Sequence, residues 1–279
     1  MQIVIHKTAA ALLTRCKKAL LSDPAFNHSI IQTAAILRGE NHFYEPPFWF
    51  CTVESQGAVK GAAIYAEPDG LVLSDMPSKA VPALYDCLIK SIPMPVRVLA
   101  RPDLASNIAA RLAEKPGARP VLSTSWYLGR LDKVIEPGDM PPGELRQASF
   151  EDRELVKSWG IQYQKEKPSF LKISPYLIKK LTLGDLYVWD SNGPRTIITI
   201  SGRTENGVRI SSVFTPQENR GYGFASAAVA AISQSLLDTG HGFILVNWRV
   251  GDSVEELYSR LGFRKVGIQT SYFNDGRIC

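Results

Sequence analysis

The run Glu218-Asn-Arg-Gly-Tyr-Gly223 is the stretch of this sequence whose residue types and spacing best suit a chemical task. It follows a strand-like segment, Val208–Phe214, broken off at Thr215-Pro216, and it leads into the apolar, Ala-rich stretch Gly223–Leu237. A strand, a glycine turn and a helix N-terminus in that order make an anion site. The N–H groups from Gly221 to Ala225 have no partner inside the helix, and the helix dipole favours negative charge there. Glycine lets the backbone approach a pyrophosphate closely, and Arg220 adds a charge-assisted contact to phosphate. Two glycines at this spacing also suit a plain strand-to-helix turn, so the loop alone leaves both readings open.

The other reactive side chains exclude more than they suggest. Cys16, Cys51, Cys87 and Cys279 lie far apart with no C-x-x-C pair, so neither a zinc site nor a disulfide framework is expected, and no metal is assigned. Cys279 has no His beside it in sequence to activate it. His6, His28, His42 and His241 are scattered and read as surface or structural residues. The formal net charge of +5 favours an anionic partner. The basic residues form no run resembling a nucleic-acid-binding arm, so no nucleic-acid partner is expected. No segment approaches the roughly 20 apolar residues of a membrane span, and the N-terminus lacks the basic start and longer apolar core of a signal peptide. The expectation is a reduced, cytoplasmic protein with no membrane partner. Oligomeric state is left open.

The elements that must position the loop follow from periodicity and turn chemistry. Asp132–Gly143, dense in Pro and Gly, reads as a linker between two halves, 1–133 and 144–279. In the second half Leu145–Ala148 reads as a strand and Ser149 as a helix cap, followed by helices to about Lys165 and over Pro175–Leu183. Leu186–Trp189, Arg195–Ser201 and Val208–Phe214 read as antiparallel strands joined at Asn192-Gly193 and Glu205-Asn206-Gly207. After the Ala-rich helix come a strand over Phe243–Asn247, a helix over Ser253–Leu261 and a closing strand over Val266–Phe273. The first half repeats the order: strand Gln2–His6, two helices between Ala9 and Arg38, strands Phe48–Glu54, Gly61–Glu67 and Leu71–Ser74. There follow a helix over Ser78–Ser91 interrupted by Pro82, strand Val96–Ala100, helix Leu104–Glu114 and closing strand Val121–Leu131. Both closing strands carry a Thr-Ser-aromatic-aromatic run, from Thr124 and from Thr270. A diverged tandem repeat is the preferred reading.

On these residues the second half resembles the GNAT superfamily of N-acyltransferases. Thr215-Pro-Gln-Glu-Asn-Arg-Gly-Tyr-Gly-Phe-Ala is similar to its acetyl-CoA loop, and Glu256-Leu-Tyr-Ser-Arg-Leu-Gly-Phe-Arg to its second signature. The fold the resemblance implies is mixed α/β (α+β): two tandem GNAT-like domains, each a mostly antiparallel mixed sheet flanked by helices. Domain 1–133 is degenerate, because its matching loop, Ser74-Asp-Met-Pro-Ser-Lys-Ala, has neither glycines nor arginine. The activity implied is transfer of an acetyl or other acyl group from acetyl-CoA to a primary amine of a small molecule or peptide. The co-substrate would lie between diverging strands Val208–Phe214 and Phe243–Asn247. Its pantetheine would pair near Val213 and Thr215, with Asn247 on the facing strand, and its pyrophosphate would sit on Arg220, Gly221, Tyr222, Gly223, Phe224, Ala225 and Ser226. Backbone N–H donors near Val213 would steady the oxyanion. Tyr258, as general acid, would protonate the departing thiolate. Two positions depart from the superfamily pattern: Glu218 stands where Gln or Arg is usual, and Gly251, seven residues before Tyr258, stands where Asn is usual. No general base is identified. Ser211 and Ser212 occupy the strand where many relatives carry Glu, and the terminal carboxylate at Cys279 is a remote alternative. Trp159, Tyr163, Phe170 and Tyr176 suit core packing ahead of an acceptor pocket. The competing function is a non-catalytic acyl-CoA-binding or sensing protein.

Overall fold

Hairpin turns fix the strand registers in both halves. In the computed structural model, which describes residues 1–39, 44–92, 94–167 and 172–275, Asn192 and Gly193 adopt φ of +55° and +110°. That is the left-handed backbone a tight hairpin requires. His42, Phe170 and Cys279 lie outside the described residues.

The first half runs β1 (Gln2–His6), α1 (Ala9–Leu20), α2 (His28–Ile36), β2 (Glu45–Ser55), β3 (Ala58–Glu67), β4 (Gly70–Leu73), α3 (Val81–Ser91), β5 (Arg97–Ala100), α4 (Pro102–Ala113) and β6 (Pro120–Leu131). The second runs β7 (Glu144–Gln147), α5 (Arg153–Glu166), α6 (Ile173–Thr182), β8 (Leu186–Asp190), β9 (Pro194–Arg203), β10 (Gly207–Phe214), α7 (Phe224–Asp238), β11 (Phe243–Arg249), α8 (Glu255–Arg260) and β12 (Arg264–Asn274). The expected helix interrupted at Pro82 takes a different form. A short 3₁₀ turn, Ser78–Ala80, precedes α3, and Pro82 sits in the first turn of that helix. There its missing N–H would have had no partner in any case.

Pairing follows one scheme twice. β1–β2, β2–β3 and β3–β4 are antiparallel and β4–β5 is parallel. Likewise β7–β8, β8–β9 and β9–β10 are antiparallel and β10–β11 is parallel. Alternation along the strands buries both faces of the first-half sheet. Cys51, Val53, Ala63 and Tyr65 pack under Leu84, Leu88, Ile108 and Leu112 of α3 and α4. Phe50, Ala62, Ile64 and Val72 face Leu12, Cys16 and Ile30 of α1 and α2. In the second half α5 and α6 bring Val156, Trp159, Leu177 and Leu181 onto Leu186, Val188, Ile197 and Phe214. Trp159 is buried in that cluster, with Tyr163 and Tyr176 packed against it.

The two compact units of the chain are not consecutive halves. One comprises Met1–Leu128, Trp248–Gly251 and the chain from Val266 onward; the other comprises Gly129–Asn247 and Asp252–Lys265. Strand β12 is the reason. It pairs antiparallel with β5, Thr270 opposite Ala100 and Phe273 opposite Arg97, so the last strand in sequence joins the sheet of the first unit, between β5 and β6. Asn274 fastens its end, donating its backbone N–H to Val96 and accepting from the N–H of Arg119. Ser125 of one Thr-Ser run and Thr270 of the other are hydrogen-bonded at 2.8 Å. A cut at 133–144 therefore does not separate the units. β5 would otherwise present a row of unpaired backbone groups, and β12 covers them.

Among the described residues, no helix is long and apolar enough to cross a membrane.

Candidate functional site

The site in the second unit begins where two parallel strands part. β10 and β11 are paired only at Gly207–Phe243, Val208–Ile244 and Arg209–Leu245, after which each strand continues without the other. On its other edge β10 slips register against β9 between Ser211 and Phe214. The bulge puts Ser212 at φ +49°, a left-handed conformation that costs a side-chain-bearing residue about 1 kcal/mol. A Ser-Ser pair signals no such strain, and sequence reasoning did not find it. Ser211 faces its sheet neighbours, with Oγ 3.0 Å from Thr199 Oγ1, while Val213 lies within the slipped register. Across the gap, Asn247 of β11 is partly buried, and its Oδ1 has no hydrogen-bond partner among the described residues.

Beyond β10 the chain makes a 3₁₀ turn over Gln217–Asn219 and then the glycine loop. Gly221 and Gly223 both adopt φ +83°, and a Cβ at Gly221 would meet nothing within 4 Å. The loop thus needs glycine for conformation and leaves open space above it. α7 starts at Phe224, and its first bond runs from the Ala227 N–H to the Gly223 carbonyl. The N–H groups at 224–226 therefore begin without helical partners. Asn219 is buried and exchanges hydrogen bonds with Arg195, whereas Glu218 is exposed and does not line the cleft described below.

Arg220 is already engaged. Its Nε donates to the Thr215 carbonyl at 2.8 Å, one terminal nitrogen donates to Glu166 Oε2 at 2.6 Å, and the guanidinium lies 6.0 Å from the centre of the Phe214 ring. Tyr163, one turn before Glu166, stacks on Phe214 at 5.2 Å. Glu166 is a contact that the loop motif does not announce, because it comes from a helix more than fifty residues earlier in the chain.

The loop opens on a cleft of about 820 Å³. Thr215 and residues 219–226 form one side, and Leu257 and Arg260 of α8 with Leu261 just after it form another. Residues 136–139, expected only as linker, supply a third wall. Of the residues predicted from sequence, the cleft gathers Thr215, Arg220, Gly221, Tyr222, Gly223, Phe224, Ala225 and Ser226. Val213 and Asn247 stand on the parting strands instead.

Tyr258 does not line the cleft. It is buried on α8 with its ring edge-on to Phe263 at 5.6 Å. Burial, then the negative charge available at Tyr163 and Asp252, pushes its phenol well above the usual range, so it stays protonated. Gly251, in the place usual for Asn, has φ +90°, and Asp252 after it pairs with Lys167 at 3.0 Å.

Comparison with known proteins adds to this geometry. Residues 200–273, from β9 through β12, match a family model described as FR47-like protein. A GNAT-family acetyltransferase from Colwellia psychrerythraea matches over 98% of this chain and 99% of its own, at 10% identity and a TM-score of 0.58. The fold is that of the GNAT acetyltransferases. A Drosophila protein known by X-ray structure covers 97% and 98% of the two chains at 12% identity and a TM-score of 0.68. A tandem GNAT protein from the clavulanic acid biosynthesis pathway covers 97% of each chain at 13% identity and a TM-score of 0.55. The likeness in fold therefore spans both halves of the chain. No curated protein matches the chain in sequence at comparable stringency.

Proposed function

We propose that this chain is an N-acyltransferase that moves an acetyl or other acyl group from acetyl-CoA to a primary amine of a small molecule or peptide. The observation that carries the reading is the glycine loop: two left-handed glycines and a helix N-terminus under open space, directly after a strand that parts from its parallel neighbour. Such a loop suits a pyrophosphate. The unpaired edges of β10 and β11 suit the amide-bearing pantetheine, and the orphaned Asn247 Oδ1 is an acceptor of the kind a pantetheine N–H would satisfy.

In this reading Val213 and Thr215 border the pantetheine, and residues 220–226 hold the phosphates. Arg220 moves from Glu166 toward the ligand. An N–H in the bulge near Val213 steadies the oxyanion as the neutral amine attacks the thioester carbonyl. The tetrahedral intermediate then collapses, the C–S bond breaks, and Tyr258 donates its proton to the departing thiolate, while the proton lost by the amine nitrogen passes through water to restore the phenol. The first half is a degenerate copy without a phosphate loop, and the protein works in a reducing cytoplasm.

The test is thiol release from acetyl-CoA across a panel of amines, alongside calorimetry of acetyl-CoA binding. For Tyr258→Phe the expected result is a loss of about 100-fold in turnover with little change in acetyl-CoA affinity. Unchanged turnover would leave the tyrosine a packing residue. A second reading, acyl-CoA binding without catalysis, is favoured by the burial of Tyr258 away from the cleft wall. Acetyl-CoA binding with no thiol release from any amine would select it.

A further inference from the structure

The segment between the halves does more than connect them. Lys133 to Gly143 lies wholly within the second unit and touches three parts of it in succession. The Ile135 N–H donates to the Leu261 carbonyl at the end of α8 at 2.9 Å. Residues 136–139 line the cleft. Pro141 then comes within 3.7 Å of where a Cβ of Gly223 would stand, at the head of α7, and the Pro142 carbonyl accepts from Trp189 Nε1 at 3.2 Å. The chain is thus hydrogen-bonded to Leu261 after α8 at one end and to Trp189 of β8 at the other, passing the head of α7, with Glu136, Pro137, Gly138 and Asp139 strung between.

The chemistry of this span differs from that of the phosphate loop. It offers two carboxylates, which are acceptors only, facing a cleft whose other walls hold Arg220 and Arg260. Carboxylates suit the donors of an adenosine, its exocyclic amino group and its ribose hydroxyl, and are ill suited to the pyrophosphate itself. Arg260 is exposed and lies 3.8 Å from Glu256, and it is placed to meet a phosphate on the ribose.

We propose that residues 136–139 form a strap over the nucleotide end of the bound acyl donor, making the site selective for free CoA thioesters over thioesters of phosphopantetheine borne on a carrier protein. The inference rests on the acyl-CoA reading given above. A donor tethered through phosphopantetheine lacks the adenosine that the strap recognises and would have to bring a folded protein to the side of the cleft the strap crosses.

The experiment measures binding of CoA, adenosine 3′,5′-bisphosphate and phosphopantetheine by calorimetry, together with limited proteolysis after Lys133 and before Asp139. CoA and adenosine 3′,5′-bisphosphate are expected to slow cleavage at least tenfold, while saturating phosphopantetheine leaves it unchanged. The companion variant is Gly138→Trp, where an added Cβ would meet nothing within 4 Å, and a melting curve checks that the fold survives. It should weaken CoA about tenfold or more and phosphopantetheine less than twofold. CoA that binds without protecting the strap, or a Gly138→Trp variant that weakens both ligands equally, overturns the proposal. A protein that binds no CoA at all removes the cofactor reading, and the strap with it.

Discussion

Two loops occupy the same place in the doubled scheme, and they have opposite fates. Each follows the strand that begins a parallel pair, β4 in one unit and β10 in the other, and each leads into a helix. In the first unit the loop is closed by its own hydrogen bonds, beside a hollow of about 540 Å³ that Ser74 to Pro77 help to line. Ser74 Oγ accepts from the Ala62 N–H and donates to the Asp75 carbonyl, Asp75 pairs with Arg101 at 2.9 Å, and Met76 is buried in the core. Pro82 then removes one of the N–H groups that a helix start could offer a ligand. In the second unit the glycines hold the loop in a conformation that leaves space above it, and the following helix keeps its N–H groups. One fold therefore supports both a closed, acidic turn and an open, donor-rich one. The difference lies in which groups are already satisfied within the chain.

Substitutions that fill the open loop or disturb the closed one break this comparison. The largest effect is expected at Gly221→Asp. On the proposed reading of residues 220–226 as the phosphate site, a carboxylate there should weaken acetyl-CoA by at least roughly 100-fold. The fold should survive, since the added side chain meets open space and pays only for its left-handed φ. Calorimetry and a melting curve check both halves of that statement. The mirror experiment is Gly61→Val, because a Cβ there would stand 2.5 Å from Met76 Cβ. We expect a loss of stability of about 1–3 kcal/mol in denaturant unfolding, with acetyl-CoA affinity in the surviving folded protein unchanged. Altered affinity would mean that the closed loop also serves the ligand.

Smaller changes sharpen the comparison further. Arg220→Ala should weaken acetyl-CoA about tenfold, the scale of one charge-assisted hydrogen bond. Glu166→Gln should tighten it about two- to threefold, because the ligand no longer displaces an exposed ion pair. Both are read as dissociation constants at fixed ionic strength.

The smallest expected effect concerns what the units share. Arg15 holds the Glu54 carboxyl below its usual range in the first unit, and Arg146 does the same to Asp152 and Asp190 in the second. A depressed carboxyl pKa contributes stability above its unfolded value and loses it as pH falls through the folded one. Melting temperature should therefore begin to fall below about pH 4, the unfolded carboxylate range. In Arg146→Met that acid limb should be shallower. An acid limb as steep in the variant as in the parent protein would show that the clamp does not contribute.

Much of the fold was legible because local chemistry and tertiary placement agree. Asn192-Gly193 closes a hairpin, Ser149 caps the turn before α5 with its side chain on the Glu151 N–H, and the Ala-rich run is a helix. Gln217 to Gly223 reads as a loop and helix start from glycines and an arginine that act within a few residues of one another. What escaped reading acts across distance. Nothing in Glu166 marks it as the partner of Arg220, and nothing in Glu136 or Asp139 distinguishes a cleft wall from a solvated linker. Tyr258 matches a signature in sequence, yet only packing decides that its ring turns toward Phe263 and away from the cleft face of α8.

The last strand draws the line most sharply. Alternation and turn chemistry establish that Val266–Phe273 is extended, because those signals depend on a residue and its immediate neighbours. They contain no information about which sheet edge accepts it. That choice depends on which strands are left with unpaired backbone groups once the others have formed, and here β12 runs between β5 and β6. The glycine loop belongs to the first kind of property. The company it keeps, Glu166 beside it and the strap across from it, belongs to the second, because those contacts exist only after distant segments have packed.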